Sequence, residues 1–386
     1  MEPTGVGVIG GSTSGWASLS HIPAINASAA FELRAVSTSR PSSARAAAAE
    51  YGVPAYDNHQ DLVAHPGVDL VVVAVKVTEH LELVSAALDA GKMVYSEWPL
   101  GNGLAEAELL SLRAGAAGVR TVVGLQGRYA PEVRFARDLI RDGYVGRVLG
   151  TTLTGSGMVW GPEVATHGQA YWYDRANGAT PLTSPTLHAL DPLHHVLGEF
   201  ESVAANLVVG RTRATVAEDG RSVPVTAADQ VAVIGTLAGG ASASVFYRGG
   251  TSRAGNFRWE INGTEGDLVL TADWGNMQVA ALTLAGGRGA DAATAPLPVP
   301  ASYTDGLPPG LAGSPAANVA RLYERFARDL ADGTHTVPDF AHALARHRLI
   351  DAIEQAAATG TTRTPVTPRT PAAVPTGGSA PEADGR

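Results

Sequence analysis

The sequence predicts an α/β protein in which an N-terminal domain with a parallel sheet precedes a second α/β domain with a large open, mostly antiparallel sheet. Through the first 125 residues, short apolar runs alternate with helical patterns, which is typical of βαβ units. From residue 148 onward, longer segments alternate apolar and polar residues, which favours antiparallel strands. The chain is 45% apolar and 17% charged, an ordinary balance for a globular protein.

The N-terminal elements follow one another in regular order. We predict strands over residues 6–9, 33–36, 69–75, 93–96 and 121–125, and helices over residues 19–25, 43–51, 79–90 and 105–117. The run Leu-Val-Val-Val-Ala-Val at 70–75 is apolar on both faces, as a central parallel strand requires. These elements define a first domain over residues 1–125.

The second domain is predicted over residues 126–360. It contains predicted strands over residues 148–154, 203–209, 231–237 and 241–247, a hairpin of residues 258–261 and 267–270, and helices over residues 187–197, 318–330 and 340–358. The dipeptide Asn262-Gly263 predicts the turn of that hairpin. Residues 361–386 are rich in Pro, Thr, Gly and Ala, which predicts a disordered tail.

Composition and charge exclude several classes of protein. The chain has a net charge of -9 and no evident Lys/Arg cluster, so we expect no nucleic-acid partner. It has no cysteine, which excludes disulfides and thiolate metal sites. Because His167 has no partner at metal-ligand spacing, we expect no metal site. No secretion signal or membrane-spanning stretch is apparent, and we expect a soluble cytoplasmic protein without a membrane partner.

A glycine-rich turn follows the first predicted strand. It comprises Gly10, Gly11, Ser12, Thr13, Ser14, Gly15 and Trp16, close to G-x-G-x-x-G with serine at the middle glycine. Glycine permits a tight turn and lets backbone N–H groups approach a pyrophosphate at a helix N-terminus. Between a strand and a helix of a βαβ unit, the turn predicts a Rossmann dinucleotide-binding domain. An ordinary glycine-rich connector is the alternative.

The end of the second strand bears on the choice of dinucleotide. Folds specific for NAD place an acidic residue there to bind the ribose 2′-hydroxyl, but this chain has Ser37, Thr38, Ser39 and Arg40. Small hydroxyls followed by arginine suit a 2′-phosphate, so NADP(H) is the preferred cofactor and NAD(H) the alternative. Arg40 as a solvated loop residue remains open.

Several further segments carry a family resemblance. They are Lys76-Val77-Thr78-Glu79-His80, residues 90–100 with Glu97-Trp98-Pro99-Leu100, residues 124–129 with Gln126, His188-Ala189-Leu190-Asp191, and residues 261–266. With the glycine turn, they make the chain resemble the Gfo/Idh/MocA (glucose–fructose oxidoreductase/inositol dehydrogenase) family from about residue 5 to 360. It is most similar to the branch that contains the fungal galactose-pathway repressor. The resemblance implies cofactor contacts from Lys76, Val77, His80, Glu97, Trp98 and Gln126, with Glu97 as the ribose-binding carboxylate.

The chain departs from the family pattern at two positions. In family enzymes, a lysine beside the nicotinamide polarises the substrate oxygen, and here that position is Trp98. A family aspartate four positions before the histidine is Ser184. His188 and Asp191 are retained, so the typical mechanism does not carry over whole.

The remaining chemistry centres on three residues. His188 is the candidate proton donor or base, since histidine titrates near neutrality. Asp191 lies three residues on and shares a helix face with His188, although a histidine with only a structural role is the alternative. Lys76 lies just past the end of a central strand and is one of only two lysines in the chain. We expect Lys76 either to supply the charge lost at Trp98 or to contact phosphate or ribose.

Aromatic residues are candidates for substrate binding. Trp98 could stack near the nicotinamide or form a wall of the pocket, and a core aromatic residue is the alternative. In the second domain, candidates for a sugar site beside His188 are Trp160, His167, Tyr171 and Trp172, and packing at the domain seam is their alternative.

Two functions follow from these residues. The first is an NADP(H)-dependent oxidoreductase acting on a sugar, keto-sugar or polyol. The second is a non-catalytic dinucleotide sensor that acts through a protein partner. The resemblance also implies a homodimer or larger assembly that covers the open sheet.

Overall fold

The structure is a computed structural model that describes residues 2–365, and its first sheet is parallel. The strands are β1 (Thr4–Ile9), β2 (Phe31–Ser37), β3 (Ala55–Tyr56), β4 (Leu70–Val73), β5 (Met93–Ser96) and β6 (Thr121–Val123). They lie in the order β3-β2-β1-β4-β5-β6. The chain therefore reverses direction across the sheet between β1 and β4, which creates the crevice where open parallel sheets bind ligands. The predicted Rossmann fold is confirmed.

The helices of this part are α1 (Trp16–Leu19), α2 (His21–Asn26), α3 (Pro41–Tyr51), α4 (His59–Val63), α5 (His80–Asp89) and α6 (Leu104–Ala117). The single helix predicted over residues 19–25 is wrong, because Ser20 interrupts it with φ -129°. The Ser20 hydroxyl donates to the carbonyl of Trp16 at 2.7 Å. Helix α3 begins at Pro41, since the fixed φ of proline suits a first helical position.

The second part of the chain contains eleven strands. They are β7 (Val148–Gly157), β8 (Glu163–Val164), β9 (Phe200–Val208), β10 (Arg213–Val216), β11 (Ser222–Pro224), β12 (Gln230–Leu237), β13 (Ser242–Gly249), β14 (Phe257–Gly263), β15 (Gly266–Ala272), β16 (Thr283–Arg288) and β17 (Ala295–Pro296). Eight form a large sheet in the order β17-β16-β15-β14-β7-β13-β12-β9, and three form a small sheet, β11-β10-β8. Within the large sheet only β7 and β13 pair in parallel. The mostly antiparallel sheet is confirmed, whereas the small sheet has no counterpart in the sequence prediction.

The hairpin of β14 and β15 forms as predicted, but its turn does not lie at Asn262-Gly263. Asn262 still pairs with Asp267, and its side-chain amide donates to the Asp267 carboxylate at 2.8 Å. A Cβ at Gly263 would lie 2.0 Å from the carbonyl oxygen of Val145. Glycine at 263 therefore permits close approach to the segment before β7 rather than the turn itself.

Four further helices cover the sheets: α7 (Pro131–Arg141), α8 (Leu187–Leu197), α9 (Ala316–Asp332) and α10 (Phe340–Thr359). Helix α10 packs between β9 and α6, and α9 packs on α2. Val319, Tyr323 and Phe326 of α9 share one apolar core with Val6 and Val8 of β1. The C-terminal helices therefore complete the core of the first sheet.

The predicted tail of residues 361–386 lies outside the described residues from residue 366 onward. Its first residues are described, and Arg363 exchanges two backbone hydrogen bonds of 2.8 Å with Val203. Residue 363 is therefore an extension of the sheet edge, which corrects the predicted start of the tail. None of the helices in the described range combines the length and apolar character needed to cross a bilayer.

Candidate functional site

The glycine turn lies at the carboxyl edge of the first sheet, directly after β1. Gly10 has φ 91° and Gly15 has φ 132°, values that favour glycine. A Cβ at Gly10 would lie 2.4 Å from the carbonyl oxygen of Ala74, so the turn is packed against the end of β4. Thr13 and Ser14 are exposed and Ser12 is half-buried. The turn therefore presents an accessible backbone at the predicted phosphate site.

The residues that follow β2 divide into two pairs. Ser37 and Thr38 are buried, whereas Ser39 and Arg40 are exposed. The Thr38 hydroxyl donates to the Arg40 carbonyl at 3.1 Å and accepts from Ser43 at 2.9 Å. This network shapes the loop before α3 and leaves the Arg40 guanidinium exposed beside the first sheet.

Glu97, directly after β5, is held by a chain of side chains from three elements. His21 Nε2 lies 2.7 Å from the Glu97 carboxylate, and His21 Nδ1 lies 3.0 Å from the Tyr323 hydroxyl. Burial opposes ionisation of Glu97, but the hydrogen bond and charge of His21, a hydrogen bond from Trp16 and the nearby His188 together outweigh burial and lower the pKa of Glu97. A Cβ at Gly124 would lie 2.7 Å from Glu97 Oε2, so glycine at 124 makes room for this carboxylate.

His188 lies in the first turn of α8, buried close to Glu97. Its Nδ1 has no hydrogen-bond partner among the described residues. Burial lowers the pKa of His188 to about 4, although the charges of Glu97 and Asp191 favour the protonated form. The imidazole is therefore neutral at neutral pH.

Asp191 forms an ion pair with Arg128 and does not hydrogen-bond to His188. Arg128 donates from Nε at 2.9 Å and from a terminal nitrogen at 2.5 Å, and His342 Nε2 lies 2.7 Å from the same carboxylate. Burial raises the pKa of Asp191, but Arg128 and His342 outweigh it and hold the pKa well below its ordinary value. Asp191 therefore acts on the His188 ring through its charge, which favours the protonated imidazole, and not through a hydrogen bond.

Lys76 is exposed at the same edge, just beyond β4. Its Nζ lies 4.7 Å from the centroid of the Tyr171 ring, a cation–π distance. Lys76 and Tyr171 thus meet across the mouth of the crevice, which brings together two of the candidates from the sequence. This contact is with an aromatic ring, so it leaves both proposed roles of Lys76 open.

Trp98 is buried, with 7% of its surface exposed. Its indole N–H donates to the carbonyl of Thr183 at 2.6 Å, and its ring lies 4.9 Å from that of His347. Thr183 and Ser184 belong to a π-helical turn, Leu182–Thr186, that leads into α8. Trp98 thus anchors this turn through Thr183, the neighbour of Ser184 in the chain.

Three further cofactor candidates are buried at the carboxyl edge: Val77, His80 and Gln126. His80 contacts the carbonyl of Val75 at 3.3 Å and the hydroxyl of Ser96 at 3.4 Å, and burial lowers its pKa. These contacts connect the ends of β4 and β5. Val77 and His80 are therefore packed into the protein at the carboxyl edge of the first sheet.

The aromatic candidates of the second part lie in different environments. Trp160 is 4% exposed and packs with Tyr173 and the small sheet, and its N–H donates to the carbonyl of Trp172 at 3.0 Å. This geometry favours packing over sugar stacking for Trp160. His167 is exposed and pairs with Asp219 at 2.9 Å. Tyr171 and Trp172 are half-buried.

The edge fits a polar ligand such as a dinucleotide. Gln126 Oε1 and His188 Nδ1 are buried without a hydrogen-bond partner in residues 2–365, whereas buried polar groups in proteins are normally paired. Gln126 follows β6 and His188 lies at the start of α8. The glycine turn, Glu97 and Gln126 are the residues that would hold the cofactor.

Three residues that complete this site were not predicted from the sequence. His21 was visible after the glycine turn, and Arg128 within a family-like segment, but neither had a predicted partner. Tyr323 had no signal at all, because it reaches His21 from a helix 302 positions further along the chain. Their roles follow only from the tertiary structure.

Comparison with known proteins gives matches in both halves of the chain. A model described as an oxidoreductase family with an NAD-binding Rossmann fold matches residues 4–125, and the Gal80p C-terminal domain model matches residues 131–272. Dehydrogenase aclE of Aspergillus oryzae is 40% identical over 179 residues, which are 46% of this chain and 48% of that protein. The chain thus spans about half the length of that relative.

A regulator and its structure are also similar to the chain. The galactose/lactose metabolism regulatory protein GAL80 of Saccharomyces cerevisiae is 28% identical over 303 residues, covering 73% of this chain and 70% of that protein. The crystal structure of a super-repressor mutant of Gal80p from the same yeast has a TM-score of 0.83 at 25% identity. It covers 94% of this chain and 98% of that chain.

Proposed function

Since the chain belongs to the Gfo/Idh/MocA family of oxidoreductases, we propose that it transfers hydride between NADP(H) and a sugar, keto-sugar or polyol. One observation carries this proposal. His188 is a buried histidine with an unpaired ring nitrogen close to Glu97, at the edge of the sheet where the dinucleotide would bind. A buried basic nitrogen without a partner is costly, and a substrate hydroxyl would satisfy it.

The chemistry divides between cofactor and protein. A bound nicotinamide accepts or supplies the hydride. Because burial lowers its pKa to about 4, His188 is a neutral base that takes the proton of a substrate hydroxyl during oxidation. In reduction the same nitrogen returns the proton. Glu97, ionised and fixed by His21, stabilises the positive charge that His188 then carries.

Preference for NADP(H) over NAD(H) rests on the loop after β2. Ser39 and Arg40 are exposed there, and neither is a carboxylate that would repel a 2′-phosphate. Arginine binds phosphate with two parallel hydrogen bonds. We assign Arg40 to the 2′-phosphate.

A second candidate function is favoured by Trp98. At this position the indole is buried and its N–H is committed to Thr183, so it offers no group to polarise a substrate oxygen. Ser184 likewise replaces a carboxylate. A non-catalytic dinucleotide sensor that binds a protein partner is consistent with these losses and with the similarity to GAL80.

A second copy of the chain is the partner we propose for the large sheet. Ile234 and Phe246 are exposed by 57% and 41% on the face opposite to the buried Val233 and Val245. Large exposed apolar side chains on a sheet favour an interface. A homodimer through this face would cover them.

The first experiment measures cofactor affinity. We would titrate the purified protein with NADPH and with NADH, following nicotinamide fluorescence, for the wild type and for Arg40→Gln. Wild type is expected to bind NADPH more tightly, and Arg40→Gln to lose about tenfold or more of that affinity, because a charged hydrogen bond contributes about 1.5–3 kcal/mol. Equal affinities of the wild type for both dinucleotides would refute the NADP(H) preference.

The second experiment separates the enzyme from the sensor. Turnover is measured on a panel of polyols, aldoses and keto-sugars for wild type, His188→Ala, Lys76→Ala and the exposed control His335→Ala. We expect His188→Ala to lose about 10²–10⁴-fold in kcat while it still binds NADPH, and the control to be unaffected. If Lys76→Ala loses turnover but still binds NADPH, Lys76 acts in catalysis. If the variant binds NADPH more weakly, Lys76 contacts the cofactor. Tight NADPH binding without turnover across the panel would favour the sensor.

A further inference from the structure

A cavity of about 530 Å³ lies away from the glycine turn, between α7, α9 and the turn Ala301–Tyr303, with His195 of α8 at one side. Six arginines line it: Arg128, Arg134, Arg137, Arg321, Arg325 and Arg328. We call it the arginine pocket. The expectation that the chain has no Lys/Arg cluster is therefore wrong, because helical spacing and folding bring together arginines that the linear sequence spreads over two segments.

The arginine pocket carries an excess of positive charge in an acidic protein. Its lining holds three carboxylates, Asp138, Asp305 and Glu324, against six arginines, which leaves an excess of three. Burial, together with the charges of Arg128 and Arg137, lowers the pKa of His195 to about 3, so this histidine adds no charge. The whole chain has a net charge of -9, so the excess is a local feature.

Three of the guanidiniums have no carboxylate within 4.0 Å in the described part of the chain. They are Arg134, Arg137 and Arg321. Arg134 contacts the ring of Tyr303, 5.4 Å from its centroid, and Arg321 donates to the amide oxygen of Asn318 at 3.0 Å. Both partners are uncharged, so none of the three guanidiniums is in an ion pair within the described residues.

The acids of the pocket are already engaged. Asp138 pairs with Arg141 at 2.8 Å and accepts from the Tyr303 hydroxyl at 2.6 Å. Glu324 lies 4.0 Å from Arg328. Burial lowers the pKa of Arg321, and the nearby charge of Arg134 lowers it too, while Glu132 opposes both. Burial is the main cause of this shift, and Glu324 opposes it together with Glu132.

We propose that the arginine pocket binds a small polyanion that bears at least two phosphate or carboxylate groups. Arginine forks bind the oxygens of such groups with paired hydrogen bonds. The volume suits a metabolite-sized molecule, and the enclosing helices favour a small ligand over an extended chain. Arg134 and Arg137 of α7 and Arg321 of α9 line the same cavity, so one bound anion would compensate charges from both helices.

The test uses pyrophosphate and citrate as probes, measured by calorimetry on the full chain at low salt. The pocket variant is Arg137→Gln/Arg321→Gln, and the matched control is Arg147→Gln/Arg253→Gln, which removes the same charge from exposed residues outside the pocket. We expect wild type and control to bind at least one probe with equal affinity, and the pocket variant to lose tenfold or more. Comparison of the two probes distinguishes phosphate from carboxylate ligands.

Thermal unfolding shows whether a pocket variant that binds no probe is still folded. Because the two substitutions relieve like-charge repulsion, the pocket variant without probe should melt no lower than the control, and only wild type and control should gain stability from the probe. Equal loss of probe binding in the two variants would indicate non-specific attraction and overturn the proposal. Tighter binding of hexaglutamate than of either probe would overturn it in favour of an acidic peptide.

Discussion

His347 of α10 is a buried histidine that must remain neutral for the protein to fold. It lies against the ring of Trp98, and its Nε2 has no partner among residues 2–365. Burial, together with the charge of His80, lowers its pKa to about 3. In an unfolded chain the same group titrates near 6.5.

The first prediction concerns acid stability. Below pH 6.5 the unfolded chain binds a proton at His347 that the folded chain does not bind until pH 3, so the free energy of unfolding falls as pH falls through this window. From pH 7 to pH 5 this histidine alone should remove about 2 kcal/mol. Urea unfolding of wild type and His347→Phe at both pH values measures the difference. An equal pH dependence for the two proteins would contradict the lowered pKa.

Individual site residues were predictable to the extent that local patterns mark them. The glycine turn and the end of β5 located Gly10, Gly15 and Glu97, because both segments have a characteristic local sequence. Their partners were not predictable, since His21 and Tyr323 reach Glu97 only through the packing of α2 and α9. Asp191 shows the converse: helical spacing placed it near His188, but tertiary contacts direct its carboxylate to Arg128.

Three elements meet at the Asp191 carboxylate: helices α8 and α10 and the segment Gln126–Tyr129. Arg128 comes from that segment and His342 from α10, so one buried carboxylate links three elements. Both Arg128 and Asp191 are almost fully buried. A buried ion pair costs desolvation energy that only an intact geometry compensates.

The second prediction follows from this link. Asp191→Ala leaves Arg128 buried without a carboxylate and should lower the free energy of unfolding by about 3–5 kcal/mol. The double variant Arg128→Met/Asp191→Leu removes both charges and should lose less than the single variant. Chemical denaturation of both variants measures the coupling. A double variant that is less stable than Asp191→Ala would argue against charge burial as the cause.

Whole elements were predictable where periodicity persists over several residues. The apolar run at 70–75 marks β4, and alternation marks β7, β12 and β13. The small sheet of β8, β10 and β11 escaped prediction because its strands have two to four residues, too few for a pattern to develop. Helix α4 was not predicted either, because it has only five residues. The hairpin turn lies after Gly263 and not at it, because Gly263 makes a packing contact.

At the scale of the whole molecule, the outer face of the large sheet exposes large apolar side chains, among them Ile234 and Phe246. Phe246 pairs across the sheet with Ala232 and Thr154, and Ile234 with Ser244. This face therefore has an apolar and hydroxyl-bearing centre without charged side chains in those positions. Such a surface matches the composition of subunit interfaces, where charged residues are depleted from the core.

The third prediction concerns assembly. Phe246→Lys places a charge at the centre of this face, and two lysines would oppose each other across a two-fold axis. We expect sedimentation equilibrium to give a dimer or larger mass for wild type and a monomer for the variant. Leu112→Lys, at an exposed position of α6, is the control and should retain the wild-type mass. A monomeric wild type would refute the proposed homo-oligomer.

The return of α9 and α10 to the first sheet has a consequence for protein synthesis. The backbone N–H of Val123 donates to the carbonyl of Pro338 at 2.8 Å, and α9 covers the apolar face beside β1. During translation the N-terminal half leaves the ribosome long before these covering segments exist, and such exposed surfaces attract chaperones and proteases. Glu97 acquires its complete hydrogen-bonded chain only when Tyr323 arrives, so this part of the candidate site is completed only after α9 has been synthesised.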